Sequence, residues 1–342
     1  MSVHYQAVNW NRQKRLYDSS IAVGCAAFLA VFTGLSLNRE GATLETSLIR
    51  GLGALAFILL HVILCIGPLA RLDRRFLPLL YNRRHLGVTM ALVALAHATF
   101  ATLQYHSAAD VNPLVSVLAG APGTHFPTAF PFEWLGMAAL VILLLMAATS
   151  HDFWLSVLTP RVWKTLHMAV YLAYGLLVLH VALGIHQAEP GTITDILLLA
   201  GMGAVFGLHL SAGIREWRRD RPSEPGADGW VEVCAVDEIP EGRARGAVIG
   251  GERVAVFRYD GKVSCVSGVC RHQNGPLAEG RIVDGCITCP WHGYQYLPDS
   301  GTSPPPYNDV IPTYDVRIVG SRVFVDPRAH PPGTRVEPAR VA

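Results

Sequence analysis

Residues 270–296 read CRHQNGPLAEGRIVDGCITCPWHGYQY, and the rest of the chain is best understood outward from them. The stretch holds Cys270-Arg271-His272 and Cys289-Pro290-Trp291-His292, with 16 residues between the two groups. Each group offers one thiolate and one imidazole. Two thiolates suit one iron of a [2Fe–2S] cluster and two imidazoles suit the other. The same residue types also make a tetrahedral zinc site. Zinc fingers, however, order their ligands Cys-Cys then His-His, whereas here each Cys is followed by its own His. Gly275-Pro276-Leu277 and Gly293 permit tight loops around a cluster, and Pro304-Pro305-Pro306 could cover it. Cys286 falls outside the pattern and reads as a bystander.

Around this stretch the sequence alternates in short runs, such as 254–259, 262–266 and 322–325. Asp260-Gly261 and Val319-Gly320-Ser321 separate them as turn signals. The spacing predicts a small all-β domain over 230–328. Residues 215–229 are basic and then rich in Pro, Ser and Gly, so they read as a linker. Residues 329–342 are rich in Pro and Arg and read as a disordered tail.

The N-terminal part differs in kind. Of 342 residues, 51% are hydrophobic and 16% charged, against about 25% charged in a typical soluble domain. Six mostly apolar stretches lack Asp, Glu, Lys and Arg: 19–38, 51–70, 85–109, 134–151, 165–188 and 196–214. Each is long enough to cross a hydrocarbon layer of about 30 Å at 1.5 Å per residue. The expected architecture is therefore a polytopic α-helical membrane domain of six helices over 19–214, followed by the β domain. Residues 111–132 are also uncharged but hold four prolines and two glycines, and read as an external loop. Residues 1–18 are too polar for a cleavable signal peptide. The net charge of +2 implies no nucleic-acid partner, and the seven cysteines form no secreted disulfide pattern.

Basic residues orient the helices. The N-terminus, the loops after the second and fourth stretches and the segment after the sixth carry 14 Lys and Arg, while the opposite side carries only Arg39 and Arg50. The basic side is the cytoplasmic one, so both termini lie in the cytoplasm of a bacterial-type inner membrane, with lipid as the surrounding partner.

Ionisable groups inside membrane helices are costly and mark function. His85, His106, His151 and His186 lie near helix ends and suit interfacial roles, and His61 and His209 read as packed or hydrogen-bonded. His97 lies about 19 Å and His180 about 24 Å from the basic side, by residue count. Two histidines on different helices at similar depth can bind one haem iron from opposite faces. His167 sits closer to the basic side.

Two resemblances sharpen these readings. Residues 230–327 resemble Rieske ferredoxins and the Rieske domains of ring-hydroxylating oxygenases. High-potential Rieske proteins add a disulfide whose second cysteines would fall at Gly275 and Trp291, so that bond is not expected here. They place Ser at the position of Tyr294 and Tyr at that of Tyr296. The comparison implies a low-to-middle potential, with Tyr296 the feature that raises it. RRHLGVTMALVALAH (83–97) and WKTLHMAVYLAYGLLVLH (163–180) resemble the ferric-reductase-like transmembrane domain, a family of ferric reductases, NADPH oxidases and the haem subunit of a periplasmic methionine sulfoxide reductase, and most resemble the last. That resemblance implies one b-type haem held by His97 and His180, and makes His167 a ligand for an inner haem. In two-haem members the partner of His167 would fall at Arg83; His85, His61 or His151 could replace it, so one haem is expected and two stay open.

Relatives with a cytoplasmic flavin and nicotinamide domain carry it where this chain has its Rieske domain, and no GxGxxG follows a predicted strand here. The expected function is a membrane oxidoreductase that passes single electrons from a soluble reductase or ferredoxin, through the cluster and haem b, to ferric iron, quinone or a periplasmic protein. The rivals are quinol-driven delivery to a cytoplasmic oxygenase, a redox sensor without turnover, and a zinc-binding membrane anchor.

Overall fold

A computed structural model of the chain describes residues 12–107, 111–119, 132–150, 152–188, 192–220, 222–272, 274–291, 293–305 and 307–341. It divides into two compact units, one built on Gln6–Ser211 and the other on Ala212–Ala342.

The first unit is helical: α1 (Arg12–Ser36), α2 (Leu44–Leu72), α3 (Leu77–Tyr81), α4 (Arg83–His106), α5 (Pro113–Ala119), α6 (Glu133–Ala148), α7 (Asp152–Met168), α8 (Val170–Ala188) and α9 (Thr192–Arg219), the last running on into the second unit. The start of α2 is fixed by a reciprocal cap. Thr43 Oγ1 accepts the Thr46 N–H at 3.3 Å, and Thr46 Oγ1 accepts the Thr43 N–H at 3.2 Å. The unit's core joins Leu60 and Leu64 of α2, Met90 of α4, Ala139 and Leu143 of α6, Ala173 of α8 and Val205 of α9. The small residues Ala139 and Ala173, both fully buried, let the helices approach closely. Leu92, Phe100, Leu103, Leu172, Leu179, Leu197 and Phe206 point away from this core. Outward apolar side chains on helices of this length suit lipid rather than water. The chain is a multi-pass membrane protein.

Three sequence expectations change here. Among the described residues five helices, not six, are long and apolar enough to cross a membrane. The fourth stretch forms α6, whose 16 residues reach about 24 Å. The fifth stretch remains one candidate span, Val162–Gly184, but a one-residue interruption at Ala169 puts His167 near the end of α7 and His180 on α8. Part of the expected loop over 111–132 is helical, because Pro113 sits at the first position of α5, where its missing N–H costs nothing. Residues 120–131 of that loop lie outside the described residues.

The second unit is built of short antiparallel strands: β1 (Val231–Ala235), β2 (Arg243–Ile249), β3 (Glu252–Tyr259), β4 (Lys262–Ser267), β5 (Arg281–Val283), β6 (Cys286–Thr288), β7 (Gln295–Tyr296), β8 (Thr313–Tyr314), β9 (Val316–Val319), β10 (Arg322–Val325) and β11 (Ala339–Arg340). They form the sheets β1-β10-β9, β11-β4-β3-β2 with β8 beside β4, and β5-β6-β7. Asp260-Gly261 and Asp284-Gly285 both take positive φ and close two-residue hairpins. One core lies around Val231, Val256, Val263 and Val323, and a second around Phe257, Ile287, Tyr294 and Tyr296.

Neither flank of this domain is loose. The first five residues of the expected linker continue α9. Beyond them Asp220 pairs with Arg253, Pro222 bridges to Val248, and the Ser223 N–H donates to the Val248 carbonyl at 2.9 Å. The expected disordered tail is ordered. His330 meets Asp315 at 2.9 Å, the Val336 N–H donates to the Asp299 carbonyl at 2.7 Å, and Ala339 pairs with Val263. A Pro/Arg-rich composition lowers the tail's own propensity, but the open side of β4 supplies hydrogen bonds that composition does not register.

Candidate functional site

Two ligand loops face each other in the β domain, and they are built alike. The Cys270 N–H donates to the Gly275 carbonyl at 2.9 Å, and the Asn274 N–H donates back to the Cys270 carbonyl at 2.8 Å. The Cys289 N–H donates to the Tyr294 carbonyl at 2.8 Å, and the Gly293 N–H donates back to the Cys289 carbonyl at 3.0 Å. Each turn needs one residue with positive φ, and Asn274 and Gly293 supply it at the same place in the two loops. The loops touch at Gly275, where a Cβ would lie 2.6 Å from Cys289 Sγ. Cys270, Cys289 and their supports are buried in one cluster with Tyr294 and Tyr296. His292 lies outside the described residues, as do Gln273 and Pro306. Among the described residues no three His, Cys, Asp or Glu side chains are grouped tightly enough to hold a single metal ion.

Two tyrosines hold this site. The Tyr296 hydroxyl accepts the Arg271 N–H at 3.0 Å and so turns its own proton toward Cys270 Sγ, 3.5 Å away. Burial, and then the neighbouring Cys270 sulfur, hold that hydroxyl well above the usual tyrosine range, so it remains a donor. Tyr294 stacks on His272, with ring centres 5.1 Å apart and planes within 11°, and donates its hydroxyl to Asp309. The sequence singled out Tyr296 but gave Tyr294 no role. Its partner Asp309 lies 15 residues downstream, too far for a local motif to show the pair.

In the helical unit the structure sorts the histidines by where Nδ1 donates. Those of His61, His167 and His209 donate to the carbonyl four residues earlier on their own helix, that of Phe57, Trp163 and Val205. His61 and His209 then spend Nε2 on Tyr174 and Tyr171, at 3.1 and 3.0 Å. His85 meets Asp18 and His106 meets Ser116. His97 and His180 behave differently. Their Nδ1 atoms donate to Ile49 and Phe132 on other elements, each at 2.9 Å and each across 48 residues. This leaves Nε2 of both rings as a lone pair, and a second-shell bond of this kind orients a metal-binding imidazole. Their ring centres are 6.5 Å apart with planes crossing at 77°. Two imidazoles on opposite sides of one iron need centres about 6.3 Å apart, from metal–nitrogen bonds of about 2.0–2.1 Å plus about 1.1 Å from nitrogen to ring centre. The residues therefore fit a bis-histidine haem. His167 stacks on Trp163 at 3.8 Å, with Arg84 5.6 Å from the same ring. Among the described residues it is not brought to a second histidine, and His151 lies outside them.

The Rieske [2Fe-2S] domain model matches residues 229–315. The anthranilate 1,2-dioxygenase ferredoxin subunit of Burkholderia cepacia is 34% identical over 100 residues, covering 28% of this chain and 91% of that protein. The chain belongs to the Rieske family. The ferredoxin component of the alkene monooxygenase system of Xanthobacter autotrophicus is 29% identical over 97 residues, covering 28% of this chain and 80% of its own. A solved Sphingomonas yanoikuyae B1 ferredoxin is 28% identical over 28% of this chain and 96% of its own, with a TM-score of 0.26. A second model, the ferric reductase like transmembrane component, matches residues 52–178; it includes His97 and His167 and ends just before His180. The chain thus fuses a ferric-reductase-like membrane domain to a Rieske domain, and its role is that of an oxidoreductase or electron-transfer protein.

No two of the seven cysteines form a disulfide, and Gly275 and Trp291 stand where the extra disulfide of high-potential Rieske proteins would need cysteines. With Gly275 in contact with Cys289, there is no room at that position for another side chain. Tyr296→Phe is expected to lower the cluster's reduction potential by about 40–60 mV, the equivalent of one O–H···S bond worth about 1–1.4 kcal/mol more to one redox state than to the other. A voltammetric titration of the purified protein measures it, and an unchanged potential would show that the hydroxyl does not reach the sulfur.

Proposed function

We propose that this chain passes single electrons across a bacterial-type inner membrane, between a cytoplasmic Rieske cluster and one b-type haem held by His97 and His180. The supporting observation is the pair of half-buried rings 6.5 Å apart, each aimed by a carbonyl from another element. When bound, the haem supplies a one-electron couple inside the bilayer. The protein's part is to aim two neutral imidazoles, to exclude water with the core around Leu60, Met90 and Ala173, and to carry Cys270, His272, Cys289 and His292 on the same chain. The basic asymmetry supports cytoplasmic termini and outward flow, from a soluble reductase or ferredoxin to ferric iron, quinone or a periplasmic partner. Several Rieske relatives are ferredoxin components of oxygenase systems, which supports a soluble reductase as the donor.

An optical and EPR redox titration of the purified protein tests this reading. It is expected to reveal one low-spin b-type haem and one Rieske cluster. The steep crossing of the two ring planes predicts a highly anisotropic low-spin haem signal in place of an ordinary rhombic one. A colourless or zinc-loaded protein would refute the proposal. A C-terminal reporter active only in the periplasm would reverse the direction.

A further inference from the structure

The two candidate haem ligands sit in matching nests. Ile49, Gly53 and His97 follow one another at the same intervals as Phe132, Gly136 and His180. In each nest the histidine donates to the first residue's carbonyl and lies against the glycine four residues further on. A Cβ at Gly53 would lie 2.9 Å from His97 Cε1 and 3.0 Å from Nδ1. At Gly136 it would lie 2.8 and 2.9 Å from the same atoms of His180.

Helix geometry explains the pairing. The carbonyl of residue i points along the axis toward residue i+4, and a side chain there leans back toward the helix N-terminus, over that carbonyl. A ring from another helix can therefore reach the carbonyl of Ile49 or Phe132 only if the residue at i+4 has no side chain. At Phe132 the carbonyl is shared: it receives the Leu135 N–H at 3.1 Å and the Gly136 N–H at a long 3.4 Å, and His180 Nδ1 approaches it more closely than either, at 2.9 Å.

We propose that Gly53 and Gly136 are positioning residues for a bis-histidine metal site, each keeping a backbone carbonyl open so that it can fix the tautomer and direction of one axial imidazole. This inference rests on the haem reading above. It adds that the site is specified twice over by an internal repeat, with the same backbone device on each side of the iron.

Gly201 provides an internal control, because a Cβ there would crowd His61 Nε2 at 2.6 Å, yet His61 already bonds Phe57 and Tyr174. Full-length Gly53→Ala, Gly136→Ala and Gly201→Ala proteins would be compared by haem content per Rieske cluster and by EPR; the cluster on the same chain reports folded protein. Ordinary contacts lie near 3.5 Å, so each alanine should push its ring by about half an ångström. Loss of a second-shell bond typically costs at least about 10-fold in metal affinity. The expected result is a fall of about that size in haem per cluster, or conversion to a high-spin signal, for Gly53→Ala and Gly136→Ala, with Gly201→Ala unchanged. Wild-type haem in either of the first two, or an equal loss in all three, would overturn the inference. His97→Ala and His180→Ala separate its failure from that of the haem reading, since haem retained in those proteins would remove the site itself. If a glycine variant does not accumulate, Gly53→Ala would be made in a His97→Gly protein supplied with imidazole. A free ligand can shift where a tethered ring cannot, so restored low-spin haem is expected there, and its absence while His97→Gly alone is restored would overturn the inference.

Discussion

His97→Ala and His180→Ala are each expected to abolish the low-spin b-type haem, while the Rieske EPR signal keeps its wild-type amplitude per protein. On the proposed reading each ring supplies one of the two bonds to iron, whereas His61 and His209 give their Nε2 atoms to Tyr174 and Tyr171. The separation of effects follows from the division of the chain into two units. His167→Ala is the informative contrast. Its ring rests on Trp163, so with a single haem bound it should leave haem content unchanged. Full haem retention in both the His97 and the His180 proteins would show that the ligands lie elsewhere.

Cys289→Ser should remove the cluster while disturbing the fold little, because the hydroxyl is smaller than the thiol it replaces against Gly275. Haem should remain bound, yet its reduction by a soluble ferredoxin-type reductase should slow on the order of 100-fold. A cluster on the same chain does not depend on the concentration of a free donor, so its loss leaves only slower bimolecular reduction. Stopped-flow absorbance in the haem bands measures this directly. Equal rates in both proteins would take the cluster off the path and favour the sensor reading.

The Rieske domain was legible because its motif is local, with two Cys and two His within one stretch and Gly275 and Gly293 beside them, whereas Asn274, the positive-φ residue of the first loop, was not singled out. The apolar stretches were legible as a helical membrane domain, but the helix lengths were not, because hydropathy cannot see the cap at Thr149 that ends α6 or the interruption at Ala169. His97 and His180 stood out by depth, yet what distinguishes them from His61 and His209 is a carbonyl. Main-chain oxygens carry no sequence signature, so Ile49 and Phe132 were invisible, and Gly53 looked like any small residue in a helix. The linker and tail were misread for one common reason. Their composition describes how they behave alone, whereas β2 and β4 offered them edges to pair with.

That last pairing has a practical side. Strand β4 bonds β3 along one side, and its other side is shared between β8 and β11. The family match stops at residue 315, well short of β11. A domain cut there would leave Lys262 and Val263 with unmet backbone groups on a sheet edge, which invites pairing between molecules and aggregation. The final residues act as a sealing strip for the electron-transfer module, and they set where it can be excised intact.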